Sequence, residues 1–335
     1  LFRSVMVGAP LAVNAATNGE LFARIWGNLG RENVETHEEE LYDAQQDTTY
    51  TVTYPRREYV EVDSEKAQEL IGEKISFEPI EHTFGDGTKL SILSTVTDGN
   101  SAVVEYTLEK EGGVDCYNYS QLDNEAKGAW ISEESRINFY FPDAGGCVFV
   151  DLDKSTDDKL YCYDYMTIDP WNNRPLTKES LTLTLWEYPT THGDYALNTD
   201  EEKSKWIEDN IKKDSISVPL GEPVSKVEYI NSGDGIVEIS PISIDIDMNT
   251  GLGLEGDEAG DPWSAYYVAI KYKDGTGYVV CEHEYRDIHA CDVEIDNSSY
   301  GCGSLDNHMT YVFNRLVDVD EIDYIQVNEV KYCVK

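Results

Sequence analysis

The sequence predicts an all-β protein, built as two tandem antiparallel β-sandwich-like domains of immunoglobulin type behind an N-terminal amphipathic helix. Three observations lead there. Short runs of β-branched and aromatic residues alternate with period two, as in Thr49-Tyr50-Thr51-Val52-Thr53-Tyr54. Turn-forming residues separate these runs, most clearly at Asp98-Gly99-Asn100 and Lys273-Asp274-Gly275-Thr276, where the chain needs a positive φ to reverse. Helical periodicity is confined to three short stretches, 18–29, 64–71 and 200–212. The 335 residues suit two domains at about 150 residues each.

The N-terminal region, 1–45, reads as a membrane-proximal helix followed by an acidic connector. The chain opens on Leu1, as a piece of a longer protein would, and carries no charge from Ser4 to Gly19. That run is shorter than the ~20 apolar residues of a membrane-spanning helix. Three readings of it stand: the outer end of a transmembrane helix, the remnant of a signal peptide, and an ordinary buried segment. Thr17 and Glu20 then form a capping box. Behind it Leu21, Phe22, Ile25, Trp26 and Leu29 share one helical face, and Gly27 and Gly30 weaken and end the helix. Glu32, Glu35, Glu38, Glu39 and Glu40 follow and read as a stalk, with one short helix signal at most.

The first β domain is expected over 46–220. Its strongest local signal is a hairpin of 90–96 with 102–108, with Leu90, Ile92 and the alternate residues on the core face. Further strands are expected at 136–141, 147–152, 160–166, 181–188 and 215–220. The helix 64–71 turns Ala67, Leu70 and Ile71 inward, and the helix 200–212 groups Trp206, Ile207 and Ile211. Gly221-Glu222-Pro223 marks the boundary. The second domain, 221–335, carries expected strands at 224–230, 236–247, 265–272, 277–282, 309–314 and 324–334. Its length is usual for a sandwich.

Charge limits the partners. Lysine and arginine number 26 against 65 aspartates and glutamates, a net charge of −39. Such a surface argues against nucleic acid, which needs a basic footprint, and against docking flat on an anionic bilayer. Seven cysteines, an odd number, leave at least one outside intramolecular pairing, and a disulfide among Cys281, Cys291, Cys302 and Cys333 is one open arrangement.

Several local patterns resemble chemical sites without meeting their requirements. Cys281, His283, His289 and Cys291 form a zinc-like inventory with the wrong spacing for a finger, and the alternatives are a hairpin with small inward cysteines or a Cys281–Cys291 disulfide. Asp245, Asp247 and Asn249 start like an EF-hand loop, but Thr250 stands where Gly is required and Gly256 where an acid is required. A different calcium site using Asp245, Asp247 and Asn249 with Asp257, Glu258 or Asp261, or a solvated acidic loop, are the two readings left. Asp151, Asp153, Asp157 and Asp158 repeat the ambiguity more weakly. Gly251, Gly253 and Gly256 have dinucleotide-loop spacing, but Asp257, Glu258 and Pro262 follow in place of a helix. Exposed tyrosines and tryptophans suit a sugar-stacking platform, but Trp130 and Trp186 sit in or beside strand patterns, where such residues are more often core. The sequence therefore assigns no catalytic, cofactor-binding or metal-ligating residue, implies no cofactor, and points away from an enzyme.

Three segments together resemble a family. They are Glu20-Leu-Phe-Ala-Arg-Ile-Trp-Gly-Asn-Leu-Gly30, the hairpin from Lys89 to Leu108, and Ile239-Ser-Pro-Ile-Ser-Ile-Asp-Ile-Asp247. Their order is similar to that of the extracytoplasmic part of single-pass bacterial membrane proteins of the anti-sigma, or sigma-factor regulatory, type. The resemblance implies a non-catalytic sensory or interaction domain on the outer face of the cell membrane. Its anchor would lie N-terminal to this chain, its ligand would be a protein or cell-wall component outside the cell, and a sigma factor would bind a cytoplasmic region beyond the chain. The alternative is a secreted or wall-associated adhesin or glycan-binding module.

Overall fold

The computed structural model describes residues 37–43, 48–54, 64–114, 137–142, 144–150, 155–168, 179–187, 205–206, 209–231, 236–247, 267–275, 277–282, 299–305, 308–313 and 315–334. Those residues form antiparallel strands with very little helix, so the protein is all-β. The amphipathic helix expected over 18–29 lies outside the described residues. Of the helix expected over 200–212, Lys205–Trp206 and Asp209–Asn210 are helical, but Lys212 already opens a strand. Among the described residues, no helix is long and apolar enough to cross a membrane.

Two compact units emerge, one of residues 73–224 and one combining residues up to 72 with those from 225 onward. In the first, β3 (Ile80–Thr83), β4 (Lys89–Thr97), β5 (Ser101–Glu109), β8 (Lys159–Ile168) and β7 (Ala144–Val150) form a five-stranded sheet in that spatial order. A three-stranded sheet runs β10 (Lys212–Pro219), β9 (Ser180–Glu187), β6 (Ile137–Tyr140). The two pack face to face. Leu90, Ile92, Val104, Tyr106, Leu108, Leu160 and Met166 from the larger sheet meet Ile137, Phe139, Leu181, Leu183, Leu185 and Val218 from the smaller. The Tyr106 and Phe139 rings meet edge to face at 5.5 Å, the orientation their quadrupoles favour.

The β4–β5 hairpin forms as the turn residues require. Gly99 takes φ 95°, and Asp98 Oδ1 accepts from the backbone amides of Asn100 and Ser101 at 3.0 and 2.8 Å. Leu90 and Ile92 face the core as expected, but the alternation stops there. A bulge between Ile92 and Ser94 shifts the register, so Ser94 stands opposite Glu105 and Val96 opposite Val103, on the other face of the sheet. That face is buried as well: all residues from Ser101 to Leu108 are inaccessible, which erases the polar side of the usual alternation.

In the other unit, β11 (Val227–Ile230), β12 (Ile236–Ile239), β13 (Ser243–Asp247), β14 (Tyr267–Tyr272), β15 (Gly277–Glu282), β16 (Ser299–Leu305), β17 (His308–Phe313), β18 (Ile322–Val327) and β19 (Val330–Val334) join in one sheet. Their spatial order is β15-β14-β18-β19-β11-β12-β13-β17-β16. The sheet curls into a nearly closed, barrel-like form. Tyr278, on the edge strand β15, reaches Phe313, on β17 near the opposite edge, with ring centroids 5.6 Å apart. Ile239, Ile244, Ile246, Ile270, Ile325 and Val327 fill the interior.

Two expected long strands are hairpins. Residues 236–247 divide into β12 and β13 because Ser240 Oγ accepts from the amides of Ile242 and Ser243, both at 3.1 Å, and closes a turn at Pro241. Residues 324–334 divide into β18 and β19 at Asn328, whose φ of 53° is open to Asn but costly for most side chains. The acidic connector also departs from expectation. His37–Asp43 is a strand, β1, paired antiparallel along its whole length with β2 (Thr48–Tyr54). The high β-propensity of β2 overrides the poor propensity of three consecutive glutamates. The helix α1 (Ser64–Ile71) falls where its periodicity placed it, with Ala67 and Ile71 buried and Lys66 paired to Asp318 at 2.9 Å.

Candidate functional site

The three-stranded sheet of the 73–224 unit has one face in the core and one facing outward. Leu181, Leu183 and Leu185 point inward, so period two places Thr182, Thr184 and Trp186 on the outer face of β9. Tyr140 stands on β6 beside Thr184, while Lys213, Ser215 and Ser217 stand on β10 opposite Trp186, Thr184 and Thr182. The result is a ladder of hydroxyls ending in an aromatic pair. Trp186 and Tyr140 meet edge to face at 5.7 Å, and the Lys213 ammonium lies 4.6 Å above the Trp186 ring. Tyr140 is 41% exposed, one of very few exposed large apolar side chains among the described residues.

This face is unusual for its charge. In a chain with 65 acidic residues, its described side chains include no carboxylate. The nearby Glu187 is turned away from it: a Cβ on Gly85 would fall 2.6 Å from Glu187 Oε2, which places that carboxylate beside the β3–β4 turn. Glu187 also pairs with Lys212 at 3.1 Å. Lys66, Lys74, Lys89, Lys110, Lys159 and Lys226 likewise have carboxylate partners, whereas Lys213, like Lys205, Lys271, Lys273 and Lys331, has none among the described residues.

A second constellation lies on the outer face of the barrel-like sheet. Asp245, on β13, is buried and uses both oxygens. Oδ2 accepts from the Thr310 hydroxyl at 2.6 Å, and Oδ1 lies 2.7 Å from His308 Nδ1. The register supplies this geometry directly, since Asp245 faces Thr310 and Asp247 faces His308 across β13–β17. The hydrogen bond that His308 donates to Asp245 is the main influence raising the imidazole above its ordinary range, with the charges of Asp245, Asp247 and Glu238 adding to it against partial burial. Asp245 is therefore a strand residue with both carboxylate oxygens engaged by its cross-strand neighbours. Among the described residues, no group of three or more His, Cys, Asp or Glu is placed to hold a metal ion.

A third feature was not apparent in the sequence. Asp164 on β8 lies between Cys162 and Met166, both buried in the core, and opposite Val104, also core. It thus occupies the apolar face of its strand while keeping a partial opening to solvent. Burial pushes its carboxyl up to about 7, and the opening moderates that effect without changing its direction. The pattern Leu160-x-Cys162-x-Asp164-x-Met166 was the available signal, because it places an acid at an inward position.

The remaining sequence candidates scatter. Cys281 is half-buried on β15, while His283, His289 and Cys291 lie outside the described residues, as do Asn249, Thr250, Gly251, Gly253, Gly256, Asp257, Glu258 and Asp261. Asp151, Asp153 and Trp130 lie outside them too. Asp157 and Asp158 sit in an exposed turn, where Asp158 accepts from the Gly112 amide at 2.9 Å, a structural role.

No protein-family model matches the chain, and no curated protein matches it. A solved structure described as the crystal structure of the conserved domain protein from Bacillus anthracis aligns with 75% of this chain and 75% of its own length. The identity is 11% and the TM-score 0.37, a level of likeness that carries no argument about fold or function.

Proposed function

We propose that this chain is the non-catalytic, extracytoplasmic sensory or interaction domain of a membrane-anchored bacterial regulator of the anti-sigma type. In this reading its two β units act as immunoglobulin-like modules behind an N-terminal amphipathic helix. An anchor N-terminal to the chain holds it on the outer face of the cell membrane. Binding of a protein or cell-wall ligand outside the cell is relayed to a sigma factor through a cytoplasmic region outside this chain.

The single observation that supports an interaction role best is the outer face of the three-stranded sheet. It combines an exposed Tyr140 packed on a half-buried Trp186, a ladder of hydroxyls and a lysine without a carboxylate partner among the described residues. An exposed Tyr backed by a second aromatic ring and flanked by polar groups suits a recognition surface. The same face favours the second reading, a secreted or wall-associated adhesin or glycan-binding module, since hydroxyls beside aromatic rings suit a sugar.

The test is a binding screen of the purified chain against cell-wall fragments, cationic peptides and calcium, with hydrolase substrates alongside. Saturable binding without turnover is expected. Turnover that depends on a specific acidic pair contradicts the proposal.

A further inference from the structure

We infer that the outer face of β10-β9-β6 is a binding site for an acidic carbohydrate, a chain of uronic-acid-type sugars. The inference deepens the interaction reading and rests on it.

Two features select the ligand. The first is the aromatic pair. An aromatic ring presents an electron-rich face, and the C–H face of a pyranose packs against it. Lys213 covers Trp186 at 4.6 Å, and Tyr140 is 41% exposed, so the sugar ring stacks on Tyr140 with Trp186 fixing that ring edge to face at 5.7 Å. Thr184, beside Tyr140, and Ser215, opposite Thr184, supply hydroxyls at the spacing of adjacent strands for the sugar hydroxyls.

The second feature is charge. A net charge of −39 repels anions over most of the surface, yet this face carries no described carboxylate and presents one ammonium with no carboxylate partner among the described residues. At physiological salt, charges more than about 8 Å away are largely screened, so the local Lys213 decides what the face accepts. A sugar carboxylate would pair with the Lys213 ammonium, which holds its place above Trp186 while doing so. A neutral glycan would leave Lys213 unanswered, and a nucleic acid would bring many phosphates against a surface with a single cation.

The experiment is titration calorimetry of the full chain with tetragalacturonate and with neutral maltotetraose, at low and at physiological salt. Tetragalacturonate is expected to bind saturably and at least about tenfold more tightly than maltotetraose, and to weaken as salt rises. Tyr140→Ala is expected to weaken it about tenfold, and Lys213→Gln to abolish the preference for the acidic sugar. Unchanged thermal unfolding of both variants shows that the fold is intact, as expected for exposed positions. Absence of tetragalacturonate binding, equal binding of the two sugars, or indifference to both substitutions overturns the inference. The same variants in the cell-wall fragment screen separate the two levels. Wall binding that survives both substitutions overturns this face while the interaction role stands, and loss of all wild-type binding overturns both.

Discussion

Asp164 is a carboxyl placed where its strand calls for an apolar side chain, and the consequence is measurable. In the unfolded chain it ionises near 3.8, and in the folded protein burial pushes it up to about 7. Below 3.8 both states hold the proton. Between the two values the folded state keeps a proton that the unfolded chain has released, so stability from this group falls as pH rises towards 7. Asp164→Asn removes that slope. Urea denaturation is expected to show the variant gaining on the wild type from about pH 4 to pH 8, by ~1–2 kcal/mol once partial exposure is allowed for. A pH-independent difference contradicts this placement. His308 gives the opposite test. Its folded-state value lies above 6.5 because of Asp245, so its contribution is complete below pH 6.5 and fades as pH rises through the raised value. His308→Gln should therefore cost stability at pH 5.5 and little at pH 9. A cost that does not change with pH would mean that the ion pair contributes nothing.

At the scale of elements, turns decide more than strands do. Asn328 holds φ 53° at the β18–β19 reversal, and its Oδ1 accepts from the Tyr267 amide at 3.3 Å. Asn328→Ala loses both the tolerated conformation and the acceptor, and is expected to cost about 1–3 kcal/mol in chemical denaturation. Asn328→Gly keeps the conformation and should cost less. The same physics explains what the sequence made legible. Asp98-Gly99-Asn100 and Lys273-Asp274-Gly275 announce themselves through Gly, and both hairpins formed where expected. Ser240-Pro241-Ile242 and Asn328-Glu329 lie within apolar text and rely on a side-chain acceptor or a single Asn, so the flanking strands read as continuous. The bulge after Ile92 was equally silent, because Ser94 and Val96 are plausible on either face. His37–Asp43 became a strand through its partner, which no local pattern in HEEELYD reveals. At the candidate face, Trp186 was visible as an aromatic at a strand end, but its outward orientation and its pairing with Tyr140 depend on registers fixed across three strands.

For the molecule as a whole, the three-stranded sheet has one face in the core and an outer face proposed for recognition. Leu183 is fully buried in the core of the 73–224 unit, and Leu183→Ala should lower that unit's stability by about 2–5 kcal/mol. Thr182, its exposed neighbour on the opposite face, should tolerate Ala within about 0.5 kcal/mol in the same denaturation experiment. The central claim is that the protein acts by binding and that its outer face on β6, β9 and β10 makes the contact. Hydrogen exchange of the full chain with and without bound cell-wall fragments tests it most directly. The account predicts added protection concentrated in residues 137–142, 179–187 and 212–219. Protection confined to other strands, with these three unchanged, would contradict it.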